Sequence, residues 1–404
     1  MASLRNAPCA WAAVLLLLTG WAHAADAARD PAVYKSDLEA FIREVDQTYP
    51  FFDLKGIRPE WSATTDRLLQ QVTECKTDQQ FFTLTLDAIR CLRDAHMQID
   101  TRSQLPKPPS EYFPGLAFMP ATQQRVIVMF PGKDIDPFLK VGTIVVKIDG
   151  RDARAFLDDQ AKAAWAKGGP FSSPQRAALF EYRIPLHGEK KGEKHRIVIE
   201  VGQGAQRLIE LTSNTDALGW PHVYNPPRNL KPEGRSLAHA KLTSGVGYMY
   251  LRRVDPTIPP AMRAAIAAHP DVRGWIVDLC GNGGGGYDDT LIAALKSLPQ
   301  PVACIIDEGC ISAGETLARD LAQYSKARIF GTKSAGSSAR KEPWKFPSGI
   351  ASVILPRRGF TGLGGKIIEY NGISPDEVVE PVPEEAQRGQ NSAILRAEKY
   401  ILGK

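Results

Sequence analysis

The chain has 404 residues, of which 43% are hydrophobic and 24% charged, and a formal net charge of +5. This is a core-forming composition, long enough for two or three domains at roughly 150 residues each. The mild charge, with no long Lys/Arg run or basic-aromatic stripe, argues against a nucleic-acid partner.

Residues 1–24 read as an export signal rather than part of the fold. Arg5 precedes the apolar run Ala10–Leu18, and Ala22–His23–Ala24 has the small-x-small form of a cleavage site. The run is shorter than the roughly 20 residues that a membrane span needs. The mature chain is expected to be exported, periplasmic or secreted, with no integral membrane segment. Cys9 precedes the apolar core, so it is not read as a lipid-attachment cysteine. The other cysteines, Cys75, Cys91, Cys280, Cys304 and Cys310, lack the paired spacing of a zinc site. Export permits a disulfide, but their odd number leaves at least one thiol free or intermolecular. No metal or cofactor is expected.

Residues 29–105 read as a helical domain. Leu38, Phe41, Ile42 and Val45 recur at helical spacing, as do Leu68, Leu69 and Val72, and a further pattern runs from Phe81 to Leu92. Asp94–Ala95–His96–Met97 ends that pattern and an alternating one begins. A histidine at such a junction is usually structural, yet histidine is also the commonest general base.

Pro106, Pro108 and Pro109 mark a linker, and a β-rich unit extends over 106–213. Gly115–Leu116–Ala117–Phe118 leads into a strand. Val126–Phe130 and Val141–Gly150 are further strands, Arg154–Leu157 starts a helix, and Ile197–Val201 and Leu208–Leu211 are strands again. The Gly115–Phe118 loop and the Val141–Gly150 run resemble a PDZ domain. That implies a loop whose backbone N–H groups (Gly115, Leu116, Ala117, Phe118) bind a peptide's C-terminal carboxylate. A small β-domain without peptide binding fits the residues too. Lys167–Pro174 reads as a flexible loop and His187–His195 as a solvated hairpin turn.

Over 214–404, strands (Gly247–Leu251, Trp275–Leu279, Pro301–Ile306) alternate with helical stretches, which predicts an α/β layer. The second strand runs into Cys280–Gly281–Asn282–Gly283–Gly284–Gly285–Gly286. Here backbone N–H groups can approach a ligand without a Cβ in the way; the Lys-Ser/Thr ending of a phosphate loop is missing. The third strand runs through Asp307–Ile311 to Ser312, where a helix starts with Glu315 completing a capping-box pattern. Ser312 therefore reads either as an N-cap or as a nucleophile at the positive end of a helix. Cys310 is a rival nucleophile, but it precedes the helix and gains less from the helix dipole.

Taken together, these segments resemble the C-terminal-processing (tail-specific) serine peptidase family. They are Asp94–Ala95–His96, the PDZ-like unit, Val277–Asp278–Leu279 before Asn282–Gly285, Ser312–Ala313–Gly314–Glu315, Gly331–Gly336, and Ile368–Glu369 before Gly372–Asp376. They stand in the family's order and span nearly all of the mature chain. The resemblance implies a crotonase-like α/β peptidase core with an N-terminal helical domain and an inserted PDZ-like β-rich domain. It implies a polypeptide substrate and Ser312 as the nucleophile of a serine endopeptidase. In the Ser–Lys branch a lysine would stand 25 residues after that serine, where this chain has Ser337; Lys333 falls on a neighbouring place. His96 and Glu369 match the histidine-using branch, similar to the tricorn core protease. Ala313 and one of Gly283, Gly284 and Gly285 would stabilise an oxyanion. Ala95 and Met97 depart from the branch, which has a serine before the histidine and a small polar residue after it. A non-catalytic ligand- or peptide-binding protein on the same fold is the alternative.

Overall fold

A computed structural model describes residues 28–101, 105, 111–132, 135–202, 204–216, 222–286 and 288–403. The expected leader at 1–24 and the linker prolines Pro106, Pro108 and Pro109 lie outside the described residues.

Among the described residues four α-helices come first: α1 (Pro31–Thr48), α2 (Phe52–Lys55), α3 (Arg58–Gln71) and α4 (Asp78–Cys91). Their starts follow capping chemistry. Asp30 and Thr77 accept backbone N–H groups at the heads of α1 and α4, and Pro31 and Pro59 occupy first-turn positions. Gly56, at φ 66°, ends α2 in the left-handed region that a glycine reaches without strain. The aromatic faces of these helices (Phe41, Trp61, Phe81, Phe82) close over Phe346, Val353 and Leu355. Those partners come from the distant hairpin of β14 (Ala339–Lys345) and β15 (Ser352–Gly359) and from the turn between them. Strand β1 (Gln98–Asp100) pairs antiparallel with β15, Gln98 opposite Ile354. The C-terminal hairpin thus packs with the N-terminal helices.

A second sheet comprises β2 (Ala117–Ala121), β3 (Arg125–Phe130), β4 (Ile144–Ile148), β5 (Arg151–Asp152), β6 (Glu193–Glu200) and β7 (Gln206–Ser213), paired antiparallel with β2 at one edge. Helices α5 (Ala153–Lys167) and α6 (Pro174–Arg183) accompany it. Leu116, Phe118, Val128 and Leu157 are among the residues of one of its cores, and the other face meets Ala386. One expectation holds and one changes here. The loop foreseen at Lys167–Pro174 is followed by α6, capped by Ser173. The stretch from His187 then leads from a helix into β6, so it is not a hairpin turn.

The third sheet runs β16 (Glu377–Val378), β13 (Arg328–Gly331), β12 (Val302–Ile306), β11 (Trp275–Asp278), β10 (Gly247–Leu251), β9 (Leu237–Lys241), β8 (Lys231–Glu233). The first five are parallel, and β9 and β8 are antiparallel additions. Every residue of β11 and β12 is buried, as expected for strands covered on both faces. Helices α7 (Ile258–Ala268), α8 (Asp289–Lys296) and α9 (Ala313–Tyr324) supply one cover. Helix α11 (Ser392–Ile401), which follows the short α10 (Pro383–Gln387), supplies the other. Among the described residues no helix is long and apolar enough to cross a membrane.

Candidate active site

Strand β12 ends at Ile306, and α9 begins at Ala313. The five-residue turn between Ile306 and Ser312 is pinned on both sides. Ile311 donates its N–H to the Asn282 carbonyl at 3.0 Å and Ser312 to the Ser337 carbonyl at 2.8 Å. Ser312 itself has φ 55° and ψ −123°, a conformation that costs a non-glycine residue about 1–3 kcal/mol. That strain carries its side chain away from a simple cap. Ser312 Oγ lies 3.3 Å from His96 Nε2.

Glu315 holds the turn from within. Its buried carboxylate accepts from Ser334 Oγ (2.6 Å), Gly336 N (2.7 Å), Ser337 N (2.9 Å), Ser338 Oγ (2.9 Å) and Ser312 N (3.2 Å). Burial raises its pKa and these donors oppose the rise. Glu315 thus returns to the Ser312 N–H as a capping box requires, and it also ties the Ser312 turn to the 334–338 loop. Ser337, where the Ser–Lys branch would carry its lysine, is fully buried. Lys333 is exposed.

The glycine run lies against this turn. A Cβ on Gly284 would stand 2.7 Å from Ser312 Cβ and 3.3 Å from Ala313 N. The N–H of Gly283 is taken by the Arg252 carbonyl and that of Gly284 by Asn282 Oδ1. Ala313, first in its helix, has an N–H with no intrahelical acceptor.

His96 is only 7% exposed. Among the described residues its Nδ1 has no hydrogen-bond partner, and Asp94 Oδ1 stands 3.9 Å away. The same Oδ1 accepts the His96 backbone N–H at 2.9 Å. Burial pushes His96 down to about 4, with Asp94 pulling up and Lys341 and Lys55 pushing further down. Ala95 fixes the turn through its backbone, donating to Ser172 Oγ at 3.1 Å, and Met97 packs into the helical core.

Glu369 is fully buried. It accepts from Lys55 Nζ at 2.8 Å and from Ser338 N at 2.9 Å, and Ser172 also hydrogen-bonds to it. Burial pushes its carboxyl up and Lys55 pulls it back. Ser312, His96 and Glu369 thus converge from three distant segments, with Glu369 reaching the histidine's surroundings through Lys55 and Ser172. Lys55, Tyr49 and Ser172 stand in no motif that would single them out, and Asp94 is marked in the sequence only by its place two residues before His96.

Helix α6 reaches the same loops. Gln175 donates to the carbonyls of Ser334 (3.3 Å) and Tyr370 (3.2 Å), and Arg176 to that of Glu308 (3.1 Å). At the other end of the β-rich unit, Leu116, Ala117 and Phe118 are fully buried, with Gly115 partly exposed. Cys75, Cys91, Cys280, Cys304 and Cys310 are all free thiols. Cys310 is buried, which raises its pKa well above the ordinary thiol value and disfavours it as a nucleophile.

Residues 287–379, which include Ser312 and Glu369, match the family model described as Peptidase family S41. The match is confined to this segment, and it supports the resemblance to C-terminal-processing peptidases. The fold is similar to that of mature CPAF (13% identity, TM-score 0.60, covering 92% of this chain and 97% of that one). It is also similar to a putative peptidase from Parabacteroides merdae ATCC 43184 (14% identity, TM-score 0.51, covering 93% and 97%). No curated protein matches the sequence.

Proposed function

We propose that the protein is an exported serine endopeptidase working through Ser312 and His96. The observation that carries this reading is the 3.3 Å approach of His96 Nε2 to Ser312 Oγ, with Ser312 inside the segment that matches the peptidase family model. Neutral imidazole takes the Ser312 hydroxyl proton as Oγ attacks the scissile carbonyl carbon. The resulting imidazolium gives that proton to the leaving amine, so the C–N bond breaks and an acyl-serine remains. A water then attacks the ester, with His96 again accepting and returning the proton. The Ala313 N–H and that of Gly285 serve as oxyanion donors, because Gly283 and Gly284 already donate within the chain. Glu369 supports the base indirectly.

Residues 29–105, 106–213 and 214–404 are read as a helical domain, a PDZ-like domain and a crotonase-like peptidase core. The Gly115–Phe118 loop beside the edge strand β2 is read as the site for a substrate's free C-terminus. Because the three side chains after Gly115 are buried, recognition there falls to backbone N–H groups.

The test is reaction of the purified protein with a fluorophosphonate probe, followed by peptide mapping and a casein cleavage assay. Labelling at Ser312 with cleavage is expected. An unlabelled Ser312 and intact casein would favour a non-catalytic binding protein on this fold.

A further inference from the structure

The serine-peptidase reading leaves one atom unaccounted for. A histidine that accepts a proton at Nε2 must carry its own proton at Nδ1, and something must hold that proton in place. His96 Nδ1 is buried without a partner among the described residues. The carboxylate beside it is Asp94, at 3.9 Å. Glu369 is held instead by Lys55, Ser338 and Ser172.

Asp94 is itself built into place. Its side chain and that of Lys55 have no exposed surface. Tyr49 donates its hydroxyl proton to Asp94 Oδ2 at 3.0 Å while accepting from Lys55 Nζ at 3.0 Å. Lys55 Nζ spends its remaining protons on the Arg93 carbonyl (2.7 Å) and Glu369 Oε1 (2.8 Å), and stands 3.6 Å from Asp94 Oδ2. The ammonium therefore bridges two buried carboxylates, one of which faces the histidine.

We infer that Asp94, rather than Glu369, holds the Nδ1 proton of His96, with Lys55 as a positioning residue that clamps Asp94 and Glu369 into one buried assembly. In this assignment the Nδ1 proton turns to Asp94 Oδ1, now 3.9 Å away, and the carboxylate stabilises the imidazolium that forms when Ser312 gives up its proton. This rests on His96 being the base, but the geometry at Nδ1 is testable without turnover.

The charged groups around His96 are Asp94 on its own turn, Lys55 on α2 and Lys341 on β14. Nitrogen-15 NMR of histidine-labelled full-length protein at neutral pH should show His96 with its proton on Nδ1. In Asp94→Asn the ring should become a mixture of tautomers, while in Glu369→Gln it should keep the Nδ1 proton. In casein cleavage, Asp94→Asn should lower kcat on the order of a hundredfold and move the acid limb to lower pH. Lys55→Met should move that limb to higher pH, the opposite direction, which a merely structural defect would not produce. Should Asp94→Asn fail to fold, the wild-type spectrum decides: a His96 that carries its proton on Nε2 at neutral pH overturns the assignment. An unchanged tautomer in folded Asp94→Asn, or a changed one in Glu369→Gln, overturns the assignment. A wild-type protein that cleaves nothing overturns the peptidase reading alone.

Discussion

Lys55 Nζ lies 2.8 Å from Glu369 Oε1, although 314 positions separate the two residues in the chain. Both side chains are completely buried. A pair taken out of water this fully contributes little net stability while intact, but removing one partner strands the other. Lys55→Met should cost about 3–5 kcal/mol of folding stability, read by urea denaturation. A loss below about 1 kcal/mol, the range of exposed ion pairs, would show that the site is wetter than described.

Ser312 combines a reactive position with a backbone that glycine prefers. Ser312→Ala should abolish cleavage and leave stability near wild type, because alanine inherits the same φ of 55°. Ser312→Gly should be equally inactive yet more stable, by about 1 kcal/mol, since the strain is relieved. Thermal unfolding of both variants checks this; equal midpoints would mean that the turn stores nothing. Cys310→Ala should stay active.

The sequence alone points to an activity that rises through pH of about 6.5, the ordinary histidine value. Burial moves that expectation, since His96 is pushed down to about 4. Neutral imidazole is the working form, so kcat/KM should hold at pH 5 and fall only as pH drops towards 4. The same shift affects stability. Between about 4 and 6.5 the unfolded chain binds a proton at this residue that the native state refuses. Stability should therefore rise with pH across that window, by on the order of 3 kcal/mol in total. His96→Ala should lose cleavage by orders of magnitude, whereas Lys333→Ala should not. Lys341→Ala should stay active with its acid limb moved up, because that lysine pushes His96 down.

Glu315→Gln tests the hub beneath Ser312. A carboxamide can accept through one oxygen only, and its NH2 would face donors such as Ser338 Oγ and the Ser337 N–H. A stability loss on the order of 3 kcal/mol and a large fall in kcat are expected, both measured on the folded variant. Unchanged kcat would show that the 334–338 loop holds Ser312 without Glu315.

The parts of this molecule most legible in sequence are those with local causes. Buried β11 and β12 announce themselves as apolar runs, and the start of α9 is marked by Ser312 and Glu315. The pairing of His96 with Ser312 came from resemblance, because nothing in composition links residues 216 apart. Lys55 was invisible for a physical reason. A lysine closing a four-residue helix before Gly56 looks like an ordinary surface residue, and only the tertiary fold sets it between two carboxylates. The Lys167–Pro174 loop signals mask helix α6, although Ser173–Pro174 is a good helix start.

The pairing of β1 with β15 has a consequence for how the molecule comes into being. The turn bearing His96 is followed at once by a strand whose partner begins at Ser352. On a ribosome, the amino-terminal quarter must wait for that partner to emerge before it can be stitched in. No fragment ending before residue 352 can hold His96 against Ser312 in this way, so an incomplete chain is born without its chemistry.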